Sequence, residues 1–204
     1  MKTHDDLSFF RNTFTESYDI THMILDRYIK NKSSIIIFGP GEGDEIEEID
    51  KYKKDCKIIA VEPDENFFNQ LNDFELQNNW LEIVNTTYQN YKLKENFNFA
   101  LMLRAGHEIF RGDCSCIPEF LSKPFDKIII SDIYFPESVS TEDFLKAEDH
   151  IKNKTGHWEP RHYFISPKVW DTAARKAHRK LLESKTCDEI ILDIKRDFYL
   201  RVYK

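Results

Sequence analysis

Gly39, Gly41 and Gly43 stand two residues apart, and Glu42, Asp44, Glu45, Glu47 and Glu48 crowd the same short stretch. Glycines at this spacing let the chain turn tightly and let a ligand approach the backbone. A helix starting after them offers free amides that suit an anion, but a pyrophosphate there would meet like charge from the carboxylates. A ligand carrying positive charge would not. Acids at a helix start also offset the macrodipole, each contributing about 0.3–1 kcal/mol, which accounts for Glu47 and Glu48 and leaves the three glycines unexplained. A dinucleotide site needs G-x-G-x-x-G, and its third glycine would fall at Asp44. This spacing disfavours an NAD or nucleotide-sugar enzyme.

Strands must carry these residues to one place. Ile35 to Phe38 is a short β-branched and aromatic run that ends at glycine, and reads as a buried strand. A helix is expected over Asp44 to Lys54, and a second strand over Lys57 to Pro63. Glu62 then sits at that strand's tip, next to the glycine loop, where a carboxylate accepts hydrogen bonds from ribose hydroxyls. "DENFFNQLNDFELQ" reads as a helix, "WLEIVNTTY" and "NFALMLRAG" as strands three and four, and "FDKIIISDIYF" as strand five. "HEIFRGDCSCIPEFLS" between the last two reads as loop and helix. Upstream, Asp5 to Lys30 has Phe10, Phe14, Tyr18 and Met23 near helical spacing, with a break expected near Asp19. Residues 135–167 carry four Gly or Pro residues and no clean period, and read as an insertion after strand five. "KVWDTAARKAHRKLLESK" reads as one helix, and "DEIILDIKRDFYLRVYK" as an antiparallel hairpin turning at "KRD". The alternation predicts one α/β domain over 1–204: a Rossmann-like three-layer sandwich around a seven-stranded, mostly parallel sheet. An antiparallel C-terminal hairpin strand closes it. Residues 1–31 would form a helical lid.

The bulk properties narrow the partners. A chain of 204 residues with 41% hydrophobic and 32% charged residues can bury one good core. Its net charge of -7 repels polyphosphate backbones, so free nucleic acid is not an expected partner. The basic runs Lys51–Lys54 and Arg175–Lys180 read as solvated helix faces. Cys114 and Cys116 have no second pair at ligand spacing, so no metal site is expected. Without an apolar leader or a run of ~20 apolar residues, the expectation is a cytoplasmic protein with no membrane partner.

"IIIFGPGEGDE" followed by "IIAVEPDENFFNQL" resembles motifs I and II of class I S-adenosylmethionine-dependent methyltransferases. The resemblance runs along most of the chain and is specific in its first 70 residues. It implies S-adenosyl-L-methionine as cofactor, a cation overall, which matches the acidic glycine loop. It implies that Gly39, Gly41 and Gly43 line the methionine moiety and that Glu62 holds the ribose, with Pro40, Glu42 and Pro63 also among the cofactor-binding residues. Asn85, Thr86 and Thr87 would lie by the adenine, and Leu103 and Arg104 by the methionine portion or the ring. Two positions depart from the family's pattern: Ile37 stands where an acid is common, and "NTT" where an acid often follows strand three.

Methyl transfer is an in-line displacement in which the protein chiefly aligns the acceptor and excludes water. A base is needed only where the nucleophile must lose a proton. His107, tied to the end of strand four beside Glu108, is the first choice for it; His150, His157, His162 and Tyr163 lie in the insertion. Trp158, Tyr163 and Phe164 are placed to wall an acceptor pocket, and Tyr18 to close over the cofactor. The acidic charge and the absence of a [DN]-P-P-[YF] signature favour a small-molecule acceptor. "SDIYFP" also resembles the D-x-x-D-P segment of polyamine synthases, matching Asp132 and Pro136 but with Phe135 in the place of the catalytic acid. A non-catalytic cofactor-binding protein of the same fold is the further alternative.

Overall fold

The computed structural model describes residues 11–75, 78–156 and 158–204. In chain order it contains α1 (Thr15–Tyr28), β1 (Ser34–Phe38), α2 (Asp44–Tyr52), β2 (Lys57–Val61), α3 (Glu65–Glu75), β3 (Leu81–Val84) and β4 (Phe97–Leu103). Then follow α4 (Gly106–Phe110), α5 (Ile117–Ser122), β5 (Phe125–Tyr134), α6 (Thr141–Thr155), α7 (Pro167–Lys176), β6 (Leu181–Ile191) and β7 (Ile194–Tyr203). The seven strands form one sheet in the order β3-β2-β1-β4-β5-β7-β6. All pairs are parallel except β5 with β7 and β6 with β7. The chain order reverses between β1 and β4, so their carboxyl ends open a crevice there, the usual ligand position in open α/β sheets.

The central strands are apolar on both faces because both faces are covered. Ile35 and Ile37 of β1 pack into one core with Ile24, Ile46 and Phe144 from α1, α2 and α6. Ile36 and Phe38 pack into the other with Phe110, Phe120 and Trp170 from α4, α5 and α7. The result is the expected three-layer sandwich with its antiparallel end.

Several element bounds differ from the sequence expectation. α1 runs unbroken through Asp19, and its buried residues are Ser17, Thr21, Ile24 and Leu25, while Met23 is exposed. The expected start of this helix before residue 11, Phe10 within it, and His157 lie outside the described residues. The insertion holds a 15-residue helix, α6, capped by the Ser140 side chain at Asp143 N and ended by Gly156 at φ 73. The helix expected through Lys185 stops at Lys176, and "LLESK" already belongs to β6. The final hairpin turns at Leu192 and Asp193, both at positive φ (49 and 64), and not at "KRD". Two left-handed residues give the twist that a two-residue hairpin requires. Among the described residues, no helix is long and apolar enough to cross a membrane.

Candidate functional site

β1 delivers the chain into three left-handed glycines, at φ 66, 55 and 88 for Gly39, Gly41 and Gly43. Two of them are fixed by packing. A Cβ on Gly39 would lie 2.9 Å from Ala105 Cβ, and one on Gly43 would lie 2.6 Å from Leu71 Cδ2. At Gly41 a Cβ would meet nothing within 4 Å. Gly41 lines a cleft of ≈ 860 Å³ at the carboxyl ends of β1, β2 and β4.

Glu62 stands at the tip of β2, only 4% exposed. Its Oε2 accepts from Gly41 N at 3.0 Å and its Oε1 from Asp64 N at 2.8 Å. Burial pushes this carboxyl up to about 7 against those two donors. Glu62, Asp64, Glu108 and Glu159 give the cleft four acids, and Phe38, Val61, Phe67 and Ile109 give it apolar walls. Trp158 and Tyr163, carried on the segment after α6, line its far side.

The structure gathers Gly39, Gly41, Glu62 and Pro63 around this cleft, with Thr87. The other expected cofactor residues stand behind or beside it. Asn85 Nδ2 donates to the Glu62 carbonyl at 3.1 Å and braces the strand tip. Thr86 N returns to the Val84 carbonyl at 3.0 Å. Pro40 and Gly43 are buried in the loop, Glu42 is half-buried, and Leu103 is packed in the core. Arg104, at φ 55, turns away from the cleft. Its guanidinium bonds Ser17 Oγ and Glu189 Oε1 and lies over the Tyr18 ring at 5.0 Å.

His107 opens α4, directly behind β4. Its backbone N donates to Asp132 Oδ2 at 2.8 Å, and its Nδ1 contacts Asp132 Oδ1. Asp132 comes from the end of β5 and is fully buried. Gly106 makes this approach possible, since a Cβ there would lie 2.7 Å from Asp132 Oδ2. The Nε2 of His107 faces Glu159 Oε2 at 3.2 Å, and the ring stacks on Phe164 at 5.2 Å. Burial alone would lower the imidazole's pKa, but the charges of Asp132 and Glu159 outweigh it and raise it to about 9. Carboxylates on both sides of the ring thus favour its protonated form. Glu159 is pushed up to about 8 by burial, against the pull of His107.

A second, smaller cavity of ≈ 190 Å³ adjoins the cleft and shares Glu108, Trp158 and Glu159 with it. Tyr18, His107, Glu148, Phe164 and Arg196 complete much of its wall. Glu148, on α6, is 2% exposed and accepts from Glu159 N at 3.0 Å through Oε2. Its Oε1 is buried and has no hydrogen-bond donor, and the buried Glu159 Oε2 has only the ion-pair contact of His107 Nε2. His107, Glu108 and Glu159 bring one ligand-capable atom each within 4.8 Å of one another. Phe135, where a polyamine synthase would need an acid, is 2% exposed and packs edge-on against Phe144 and Phe164. A groove of ≈ 350 Å³ between α1 and α2 lies by Ile29 and Lys53, at the opposite end of the strands from the glycine loop.

Sequence reasoning missed Glu148, Glu159, Glu189 and Arg196, and did not connect Asp132 to His107. A polar pair, Ser131-Asp132, inside the apolar run "IIISDIYF" is a signal of a buried functional carboxylate.

No protein-family model matches the chain, and no curated protein does. Solved structures match its fold. A SAM-dependent methyltransferase from Aquifex aeolicus superposes at TM-score 0.62 over 98% of this chain and 99% of that one, at 14% identity. The chain has the class I methyltransferase fold. The N-methyltransferase NodS from Bradyrhizobium japonicum shares it at TM-score 0.63 and 12% identity, over 93% of this chain and 97% of that one. The [4+2]-cyclase SpnF shares it at TM-score 0.69 and 7% identity, over 94% and 82%. The class I fold thus serves more than one chemistry, and the reading of function rests on the site.

Proposed function

We propose that this protein is an S-adenosylmethionine-dependent methyltransferase acting on a small-molecule acceptor by in-line methyl transfer. The observation that carries the reading is the buried Glu62 carboxylate, held by Gly41 N and Asp64 N at the edge of an open glycine turn. Each of its oxygens keeps a lone pair for a ribose hydroxyl. The cleft suits the cofactor in other respects. Its volume of ≈ 860 Å³ falls in the range of about 300–1,000 Å³ for ligand sites. Its acids suit a cation, and its apolar walls suit a base ring.

The bound cofactor supplies a methyl carbon activated by a sulfonium. The chain's own residues do the remainder. Gly41 keeps the backbone open to the ligand, and Glu62 orients the ribose. Trp158 and Tyr163 shield the junction of cleft and pocket from water. His107 holds a proton at Nε2 and so keeps Glu159 beside the reaction centre. α1 covers the small pocket through Tyr18, in the role of a lid.

Adenosylhomocysteine is expected to bind in isothermal calorimetry, and Glu62→Ala to weaken it by roughly tenfold to a hundredfold, the usual worth of hydrogen bonds to a charged group. No binding at millimolar ligand overturns the cofactor assignment, and an unchanged affinity in Glu62→Ala overturns the ribose role. Label from the methyl group should pass to small molecules when a metabolite extract is added. Binding without any such transfer would identify a non-catalytic cofactor-binding protein.

A further inference from the structure

The small cavity beside the cleft is a place for a hydrogen-bond donor. Two of its wall carboxylates, Glu148 and Glu159, each bury an oxygen with accepting capacity to spare: Glu148 Oε1 receives no hydrogen bond, and Glu159 Oε2 meets only His107 Nε2, at 3.2 Å. A buried acceptor left unmade costs about 1–3 kcal/mol, more when charged, so a ligand that supplies donors gains most there. The Glu159 backbone and the Glu148 side chain are already coupled, Glu159 N donating to Glu148 Oε2 at 3.0 Å, which sets the two residues on one wall.

We propose that this pocket takes a small protonated amine, whose N–H groups donate to Glu148 Oε1 and Glu159 Oε2. The pocket itself is read from its own groups; that the amine is the methyl acceptor rests on the function proposed above.

The neighbouring charges favour a cation over an anion. Arg104 and Arg196 line the same pocket and both pair with Glu189, which Arg196 meets through Nε at 2.8 Å, while the buried Arg196 Nη2 stays in ion-pair contact with Glu189 without a hydrogen bond of its own. His107 is shared between Asp132 and Glu159. Among the described residues Glu148 makes no close ion pair, and Arg196 and His107 act on it only at longer range. A neutral alcohol brings one proton to these two oxygens, whereas an ammonium brings up to three. Ile133, Ile151 and Phe164 provide an apolar wall for a short carbon body. The volume of ≈ 190 Å³ admits nothing large.

The titration of these carboxyls agrees. Burial raises Glu148 and Glu159 in the empty pocket, and a cation between them reverses that shift. An ammonium has no lone pair. Transfer of one N–H proton to the Glu159 carboxylate leaves a neutral amine and a carboxylic acid, and must precede methylation of the nitrogen.

The test is calorimetry and thermal shift on the whole chain at neutral pH, without cofactor, using propylamine and benzylamine against propanol, benzyl alcohol, propionate and benzoate. At least one amine should bind roughly tenfold or more tightly than its alcohol and its acid, the scale of a charge-assisted hydrogen bond. Glu148→Gln should remove about that factor while leaving adenosylhomocysteine affinity unchanged, and Glu159→Gln should also weaken the amine. Alcohols or acids binding as well as the amines, or no amine binding, overturns the proposal without any variant. Stabilisation by Mn²⁺ alone, abolished in Glu108→Gln, overturns it in favour of a metal at His107, Glu108 and Glu159. Because these measurements omit the cofactor, amine binding without adenosylhomocysteine binding would sink the methyltransferase reading and leave amine recognition standing.

Discussion

His107 is held from both sides, and that decides what it can do. Asp132 takes Nδ1 and Glu159 faces Nε2, so the imidazole is raised to about 9. Its folded value lies above the unfolded value of about 6.5, so its contribution to stability is complete below that pH. The contribution is lost as the pH climbs through about 9. In an imidazole ¹⁵N titration, His107 should be the histidine that keeps its proton through neutrality. Asp132→Asn removes the charge and leaves the burial, so the His107 pKa should fall, with about 3–5 kcal/mol of destabilisation at neutral pH from the broken buried pair. A wild-type titration near the free value would show that the carboxylates do not control the ring. The position of His107 behind β4 was legible in the chain. Its protonation was not, because Asp132 is 25 residues away and reaches it only through the pairing of β4 with β5.

The glycine loop joins β1 to α2, and its three glycines are not equivalent. Gly39→Ala places a methyl 2.9 Å from Ala105 Cβ, a rigid neighbour, at φ 66. The left-handed backbone costs about 1–2 kcal/mol and the overpacking about 1–3 kcal/mol more. Gly41→Ala at φ 55 meets open space, so it should lose only the backbone part in denaturant titration while weakening adenosylhomocysteine binding. Equal stability losses in the two variants would contradict this division. The loop and the strands around it were readable because β1 is apolar on both faces and ends abruptly in glycine. Other elements were hidden by tertiary contacts. After α7 the chain leaves the helix at His178, φ 56, and Arg179 donates to the carbonyls of Leu121, Lys123 and Phe125. Those three acceptors lie far back in the sequence, and "KLLESK" continues a helical pattern that the fold does not use. α6 was obscured for another reason: its buried stripe of Phe144, Ala147, Glu148, Ile151 and Thr155 contains a carboxylate and a hydroxyl where a period search needs apolar residues. Glu148, one of the residues that spoiled the pattern, is one of the two carboxylates to which the amine is proposed to donate.

At the scale of the molecule, one buried ionic knot ties the first described helix to the last two strands. Glu189 of β6 sits opposite Arg196 of β7, accepts from it at 2.8 Å, and also takes Arg104 from the end of β4 and Ser17 Oγ of α1 at 2.6 Å. Burial would raise this carboxyl, but the two guanidiniums hold it at about 2. Its folded value lies below the unfolded one, so the stabilisation is present above about pH 4.5 and is lost as the pH falls toward 2. Glu189→Gln would leave Arg104 and Arg196 without their shared counter-charge, at about 3–5 kcal/mol. In a chain of this length each kcal/mol lowers Tm by about 2–4 °C, so a loss on the order of 10 °C is expected. The loss should also be local in character. Arg104 lines the small pocket and lies against Tyr18, so α1 is the element released first. Hydrogen exchange in Glu189→Gln should therefore speed up across Thr15–Tyr28 well before it does in β1. Uniform acceleration over both segments would mean that the knot supports the whole sheet and does not fasten the helix over the pocket. A variant with wild-type Tm and wild-type exchange would show that the two arginines find other partners, and that α1 is held by its apolar face alone.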